Sequence, residues 1–571
     1  MTTRVSPAPR ARRVRLGPTL LLAASLSCGR AGAPATAGTA MDGDDAPETG
    51  PATVAGSRTR EPLRARTPRA ATAASSTSKD PATADAVPVL PPAALTETYF
   101  RHYGVNPTID TEEEPISSFA LDVDTASYTL ARGYLERGEM PEESSIRVEE
   151  FLNAIDYRYP LPARDDFALH TELVPSPHRA GYHVLHVGLR AREVAGKDRA
   201  PANLVFVVDA SASMALESRL QLVQDAIAAL VPRLGPKDRV ALVSYGETAE
   251  IVLPSTPGDR AESIREALGK LAPSGSTDVD AGLRLGYELA SKGLIDGGIN
   301  RVLLFSDGVV TSGPEAAEEL LAHVADAAAR GVTISTLGVG VENYDDVLLE
   351  QLADRGNGNY EYLDRLGEAE RVLVRNLTGT LQVIARDAKV QVEFDPAVVA
   401  RYRLLGYENR GLSPDAFSSE STDAGEIGPG HAVTALYEVQ FRGPAPAADG
   451  ADVFGRLRLR YRQPHTGLAR ELTARLSRPG TDATPSAATR TALVVGEFAE
   501  KLRGSYWIRD VAWAQIQAGF DALGEAELAR SEIAELGALI EAAARLDRRV
   551  PTPDREIAGS QLDFDRMRVL Q

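Results

Sequence analysis

The stretch that decides the fold of this chain is Leu204-Val205-Phe206-Val207-Val208-Asp209-Ala210-Ser211-Ala212-Ser213. It begins as an apolar run and ends abruptly in side chains that carry oxygen. An apolar run of this length is typical of a strand that is buried on both faces of a parallel sheet. In open α/β sheets, ligands bind just outside the C-terminal ends of such strands. Asp209, Ser211 and Ser213 therefore lie where a site is expected, and their oxygens suit a hard cation such as Mg²⁺ or Ca²⁺.

Strand and helix patterns alternate around this stretch. Apolar runs at Val240–Tyr245, Val302–Phe305 and Val332–Leu337 predict three more buried strands. The i, i+3, i+7 spacing of Leu220, Val223, Ile227 and Leu230 predicts a helix between the strand that ends near Asp209 and the strand Val240–Tyr245. Alternation of this kind predicts an α/β fold, a doubly wound and mostly parallel sheet with right-handed crossovers.

The segments on either side of the α/β block are rich in β patterns. Alternating polar and apolar residues within Phe167–Glu193 are typical of antiparallel strands, and strands are also predicted at Val390–Phe394, Ala432–Phe441 and Leu457–Tyr461. We interpret the two β-rich segments as one sandwich that the α/β block interrupts. From about Ala487 to Leu546 the pattern becomes helical.

Two more oxygen-bearing residues join the predicted site. Asp307 directly follows the strand Val302–Phe305 and Ser306, so it lies on the same sheet edge as Asp209. Thr277 lies in a turn before a helical run, and we place this turn beside the two aspartates. Taken singly, the serines and Thr277 are more often turn residues or helix caps, Asp307 before a glycine is a common turn, and Asp278 is a cap rather than a ligand. Their conjunction in one α/β block favours a cation site.

Composition limits the classes of partner. The chain of 571 residues has a formal net charge of −18, which argues against nucleic acid because phosphate binding needs a basic surface. Its single cysteine, Cys28, excludes an intramolecular disulfide and cysteine-based metal clusters. No Gly-x-Ser-x-Gly, His-Glu-x-x-His or Walker motif is present, and Gly338-Val339-Gly340 is too little for a nucleotide site. We therefore predict a non-enzymatic protein.

The N-terminus predicts export. An arginine-rich start and the short apolar run Leu16–Leu26 are typical of a signal peptide rather than a spanning helix. Ser25-Leu26-Ser27-Cys28 resembles the bacterial lipobox, which implies lipidation of Cys28, although Ser25 stands where leucine is usual. The alternative is cleavage after Ser27 or Ala33 without a lipid. Residues 29–94 are rich in Ala, Pro, Thr and Ser and predict a disordered linker.

The five site residues, Asp209, Ser211, Ser213, Thr277 and Asp307, match the Asp-x-Ser-x-Ser, Thr, Asp pattern of a known family. The chain resembles the von Willebrand factor type A domain, whose metal-ion-dependent adhesion site has this pattern. The resemblance implies that these residues hold Mg²⁺, or Ca²⁺ or Mn²⁺, and that a protein partner fills the open coordination position with an Asp or Glu carboxylate. Neutral hydroxyl ligands would leave such an ion electron-poor and attractive to an anion.

Outside that domain, the stretches Ile116–Tyr128, Arg147–Asn153, Arg403–Arg410 and Asp423–His431 resemble the bacterial YfbK-like proteins. The N-terminal patterns predict an export signal at 1–28 and the linker at 29–94, and the two resemblances imply the divisions that follow, beginning with a YfbK-type α+β region at 95–200. A type A domain follows at 201–365, then a β-rich part of the C-terminal domain at 366–475 and a helical region at 485–571. Within these stretches, Asp122 and Asp124 could form a second cation site, but we favour helix caps.

These inferences predict an exported, envelope-located and cation-dependent protein-binding module, anchored to a membrane through Cys28 in the periplasm or at the cell surface. The first alternative is a scaffold of an envelope complex in which the metal only stabilises the fold. A hydrolase is a weaker alternative.

Overall fold

The computed structural model describes residues 103–121, 123–194, 199–308, 314–340, 346–375, 382–419, 424–443, 453–464, 466–478 and 484–549. The predicted export signal, Cys28 and the linker at 29–94 lie outside these residues. Within the described ranges, no helix has both the length and the apolar character needed to span a bilayer.

The elements are numbered in chain order. The strands are β1 (Ile109–Asp110), β2 (Ile116–Ala120), β3 (Phe167–Pro175), β4 (Tyr182–Ala191), β5 (Ala202–Asp209), β6 (Arg239–Tyr245), β7 (Ala249–Pro257), β8 (Ile299–Ser306), β9 (Thr333–Val339), β10 (Tyr360–Leu363), β11 (Arg386–Phe394), β12 (Val399–Leu405), β13 (Gly411–Leu412), β14 (Ala432–Phe441), β15 (Val453–Arg462) and β16 (Ala469–Ser477). The helices are α1 (Ala126–Glu136), α2 (Val148–Asn153), α3 (Arg219–Leu230), α4 (Ala261–Leu268), α5 (Val279–Lys292), α6 (Pro314–Ala329), α7 (Asp346–Arg355), α8 (Leu366–Glu370), α9 (Pro414–Ser418), α10 (Ala487–Leu502), α11 (Trp513–Asp521), α12 (Glu525–Leu528) and α13 (Ser531–Leu546).

The α/β block forms a six-stranded sheet in the order β10-β9-β8-β5-β6-β7. All neighbouring strands are parallel except the edge strand β7, which pairs antiparallel with β6. The predicted doubly wound, mostly parallel sheet is therefore confirmed. The strands β7 and β10, at the two edges, were not predicted.

The strand β5 is buried on both faces, as its sequence predicts. Phe206 and the other even-numbered residues of β5 share an apolar cluster with residues of α3 such as Ile227. Val205 and Val207 face the opposite layer and pack with α5 and α6, including Leu283. Every residue of β5 is buried, so its C-terminal end is held in a fixed position by packing on two sides.

The β-rich segments form two five-stranded sheets in the orders β1-β12-β14-β4-β3 and β13-β2-β11-β15-β16. Each sheet combines strands that precede the α/β block with strands that follow it. Phe119 of β2 and Leu185 of β4 belong to one shared apolar core, so the sheets pack face to face. This arrangement confirms the interpretation of one sandwich interrupted by the α/β block.

The C-terminal helices and α2 share a second core against the sandwich. Phe151 of α2 and Phe498 of α10 are in edge contact, with ring centroids 5.8 Å apart. The predicted helical region after Ala487 is confirmed within the described residues.

Buried ion pairs join the α/β block to its neighbours. Arg132 of α1 lies 2.7 Å from Asp364, which follows β10. Arg147 lies 3.0 Å from Glu350 of α7. The inserted block is thus bound to the flanking parts by charged contacts that are shielded from water.

Candidate metal-ion site

The C-terminal ends of two neighbouring parallel strands form the centre of the site. In the register of β5 and β8, Val208 lies opposite Phe305. Asp209 ends β5, and Asp307 comes one residue after the end of β8. Both side chains are buried, with 0% of Asp209 and 4% of Asp307 exposed. The sheet therefore brings the two predicted carboxylates to one edge.

Ser211, through its backbone N–H and its hydroxyl, and Ser213, through its hydroxyl, connect these carboxylates. The backbone N–H of Ser211 donates to Asp209 Oδ1 at 2.8 Å. Ser211 Oγ lies 3.0 Å from Ser213 Oγ, and Ser213 Oγ donates to Asp307 Oδ1 at 3.0 Å. Ser211 occupies the N-cap position of the 3₁₀ turn Ala212–Ser218, but its side chain makes no capping hydrogen bond. Its hydroxyl is turned to the site, which weakens the alternative that it is only a cap.

Backbone hydrogen bonds hold the Thr277 turn against the end of β5. The N–H of Ser274 donates to the carbonyl of Ala210 at 2.7 Å, and the N–H of Ala212 donates to the carbonyl of Gly275 at 3.2 Å. Gly275 has φ +73°, a conformation that glycine adopts without strain. Thr277 is half-buried in this turn. The structure thus brings the turn to the strand ends, as the sequence predicts.

Asp278, the next residue, has the capping role that the sequence predicts. Its carboxylate accepts a hydrogen bond from the N–H of Ala281 at 3.0 Å and so begins α5. Asp278 is exposed and faces its own helix. It is therefore a cap, and it provides a matched control for the site aspartates.

Sequence reasoning missed two residues that contact the carboxylates. Ser306 Oγ lies 3.2 Å from Asp209 Oδ2. Arg219, the first residue of α3, donates from one terminal guanidinium nitrogen to Asp307 Oδ2 at 3.0 Å. Ser306 could have been noticed because it directly precedes Asp307. Nothing in the local sequence distinguishes Arg219 from an ordinary surface residue in the first turn of a helix.

The electrostatics of the site suit a cation. Burial, together with a smaller contribution from the neighbouring Asp307, raises the pKa of Asp209 to about 6. Burial also raises the pKa of Asp307, against the lowering effect of Ser213 and Arg219. Two buried carboxylates with hydroxyls beside them form a set of hard oxygen donors. Within the described ranges, no group of three or more His, Cys, Asp and Glu side chains is arranged to hold a metal ion, so the donor set proposed here depends on hydroxyl oxygens as well as on two carboxylates.

The second candidate cation position involves Asp122 and Asp124. Asp122 lies outside the described residues. The carboxylate of Asp124 accepts a hydrogen bond from the N–H of Tyr360 at 3.0 Å and lies 3.6 Å from the guanidinium of Arg410. Asp124 therefore connects the N-terminal segment to β10 and to the sandwich.

The fold places the chain in the class of von Willebrand factor type A domain proteins, and the profile described as "von Willebrand factor type A domain" matches residues 203–372. The profile described as "von Willebrand factor" matches residues 94–186, and "Uncharacterized protein YfbK, C-terminal" matches residues 379–546.

The chain belongs to the YfbK family. It is 35% identical over 440 residues to the uncharacterized protein YfbK of Escherichia coli, covering 73% of this chain and 76% of that protein. It is also 29% identical over 185 residues to the uncharacterized protein sll0103 of Synechocystis sp., covering 32% of this chain and 43% of that protein. Among solved structures, a von Willebrand factor type A protein from Catenulispora acidiphila is similar, with a TM-score of 0.38 and 17% identity. That similarity covers 69% of this chain and 88% of the other.

Proposed function

We propose that this protein is a divalent-cation-dependent protein-binding module, in which a metal ion at the end of β5 captures a carboxylate of a partner protein. The single observation that carries the proposal is the convergence of Asp209, Ser211, Ser213 and Asp307 within hydrogen-bond contact, with the Thr277 turn bonded to the same edge. Because three separate segments of the chain supply these oxygens, ordinary capping does not explain their arrangement.

Asp209, Ser211, Ser213, Thr277 and Asp307 would hold Mg²⁺, or Ca²⁺ or Mn²⁺. When bound, the cation supplies an electron-poor position that attracts an anionic oxygen. The side chains here orient one another before any ligand arrives, since the backbone fixes Asp209 and Ser213 fixes Asp307. An Asp or Glu of a protein partner offers the required oxygen with a full negative charge.

We further propose that the protein is not an enzyme and acts in the cell envelope. The resemblance of the N-terminus to an export signal with a lipobox supports export, with Cys28 as the lipid-anchored residue.

A scaffold is the second candidate, in which the cation only stabilises the fold. It is favoured by the buried ion pairs between the α/β block and its neighbours, such as Arg147 with Glu350. A rigid assembly of this kind could organise other envelope proteins without using the cation for contact.

A pull-down from envelope extract separates these candidates. The full chain is immobilised in Mg²⁺, and the captured proteins are compared with those obtained in EDTA and with the Asp209→Asn variant. The binding module predicts that both treatments abolish capture while circular dichroism shows a folded protein. The Asp278→Asn variant removes a carboxylate from the neighbouring turn and should retain capture.

The outcomes are distinct. Capture that survives EDTA and Asp209→Asn contradicts the binding module. Both candidates predict that EDTA lowers the melting temperature, but only the scaffold predicts that capture persists in EDTA wherever the fold survives.

A further inference from the structure

Arg219 lies directly behind the candidate site. One of its terminal nitrogens donates to Asp307 Oδ2 at 3.0 Å, and only 3% of its side chain is exposed. The other oxygen of the same carboxylate, Oδ1, accepts from Ser213 at 3.0 Å. One oxygen of Asp307 therefore faces the site, and the other is hydrogen-bonded to the buried guanidinium of Arg219.

The rest of the Arg219 guanidinium is sparsely bonded. Its Nε and its second terminal nitrogen are buried and make no hydrogen bond within the described residues. Glu217 Oε2 is 3.7 Å from the second terminal nitrogen, which is too long for a hydrogen bond. Asp307 is thus the hydrogen-bonding partner of this guanidinium among the residues described.

The chain keeps space for this arginine. Gly340, which follows β9, has φ +83°, and a β-carbon there would overlap Arg219 Nε. Glycine is required at this position both by its backbone conformation and by the close approach of the guanidinium. The position of Arg219 is therefore fixed by packing as well as by charge.

We propose that Arg219 is the positioning residue that tunes this site toward anionic partners, and this inference rests on the function proposed above. It holds Asp307 in place and cancels one of the two carboxylate charges. With Arg219 present, the site therefore binds a cation alone more weakly than two uncompensated carboxylates would. The carboxylates also neutralise less of the positive charge of a cation that does bind. A cation held in this way binds best together with a carboxylate from outside, so the two ligands bind cooperatively.

The test measures the affinity for Mn²⁺ alone by calorimetry and by electron paramagnetic resonance, on the folded full chain. Removing a buried charge this close to the site alters the electrostatic attraction strongly. We expect Arg219→Gln, which can still donate to Asp307, to bind Mn²⁺ on the order of tenfold more tightly than the wild type. Arg219→Lys keeps the charge and should stay within about threefold of the wild type. Arg233→Gln removes an exposed charge beyond the far end of α3 and should leave the affinity unchanged.

A second arm uses acetate as the external carboxylate. Acetate should raise the Mn²⁺ affinity of the wild type more than that of Arg219→Gln, because the variant leaves the cation less electron-poor.

If Arg219→Gln does not fold, Asp307→Asn is compared with the double variant Asp307→Asn/Arg219→Gln. The double variant should bind Mn²⁺ about tenfold more tightly than Asp307→Asn alone.

Equal or weaker Mn²⁺ binding by Arg219→Gln, or by the double variant relative to Asp307→Asn, overturns the inference. A wild type that binds no Mn²⁺ at millimolar concentration overturns the proposed function instead. The two failures are therefore distinguishable in one set of titrations.

Discussion

Ser213 Oγ donates to Asp307 Oδ1 at 3.0 Å, although the two residues are 94 positions apart in the chain. The contact exists because β5 and β8 are parallel neighbours that end at the same edge. Packing of β5 on both faces fixes that edge, so the oxygens are arranged by the core and not by a mobile loop.

Cation binding should stabilise the fold through Asp209. At about 100 times the dissociation constant, a ligand that binds only the native state adds about 2.7 kcal/mol to the free energy of unfolding. Thermal denaturation with and without saturating Mg²⁺ should therefore show a higher melting temperature in Mg²⁺ for the wild type and no change for Asp209→Asn. Asp278→Asn should keep the Mg²⁺ response and change the free energy of unfolding little, because asparagine caps a helix about as well as aspartate does. If Mg²⁺ raised the melting temperature of Asp209→Asn as much as that of the wild type, Asp209 would not be a ligand of the cation.

Thr277 should act through its hydroxyl. Thr277→Val keeps the shape of the side chain and removes the oxygen, so it should weaken Mg²⁺ binding by about tenfold or more. Thr277→Ser keeps the oxygen and should bind Mg²⁺ within a few-fold of the wild type. Calorimetric titration of both variants checks the prediction. Equal affinities for Thr277→Val and Thr277→Ser would contradict a ligand role.

The sequence predicted the parts of this site that follow from local pattern. The apolar run before Asp209 identified a strand buried on two faces, and Asp307 followed from the same pattern in β8. Arg219 could not be predicted, since its burial depends on Asp307 and on Gly340, which are distant in the chain. The edge strand β7 was also missed, because it exposes apolar residues such as Ile251, 47% exposed, and has no clear alternation.

Arg132 should be important for stability because it is buried among three carboxylates. It lies 2.7 Å from Asp364 and 3.0 Å from both Glu368 and Glu535. Arg132→Met leaves these carboxylates without their shared cation and should lower the free energy of unfolding by about 3–5 kcal/mol. Chemical denaturation measures the loss.

The control for Arg132 is Arg330, which pairs with Asp326 on the exposed surface of α6. Arg330→Met should change the free energy of unfolding by less than about 0.5 kcal/mol. A loss at Arg132 as small as that at Arg330 would show that the buried pairs contribute little to joining the domains.

Acid should weaken the fold through Glu500. Burial alone would raise the pKa of this carboxyl, but Arg503 and Arg403 lower it from 4.5 to about 2. The pKa of Glu500 is lower in the folded protein than in the unfolded chain. The contribution of ionised Glu500 to the free energy of unfolding is therefore fully present above about pH 4.5 and is lost as the pH falls toward 2. The shift corresponds to about 3 kcal/mol.

Denaturation at a series of pH values checks this dependence. The wild type should lose stability between about pH 4.5 and pH 2, and Glu500→Gln should lose about 3 kcal/mol less over the same range. If the free energy of unfolding fell equally with pH in both proteins, Glu500 would not be the cause of the loss of stability in acid.

How the two β-rich segments would combine was predictable only in outline. The order of strands in each sheet depends on pairing between residues such as Val392 of β11 and Ser117 of β2, far apart in the chain. Alternation of polar and apolar residues identifies a strand but does not specify its partner. The helical region after Ala487 was easier to predict, because its periodicity is contained within each helix.

Anomalous X-ray diffraction from crystals grown with Mn²⁺ would locate a bound ion directly. We expect one strong anomalous peak at the end of β5, bordered by the oxygens of Asp209, Ser211, Ser213, Thr277 and Asp307. The peak should disappear in Asp209→Asn crystals. A peak located elsewhere, or a wild-type edge without a peak at saturating Mn²⁺, would contradict the claim that this edge is a metal-ion site.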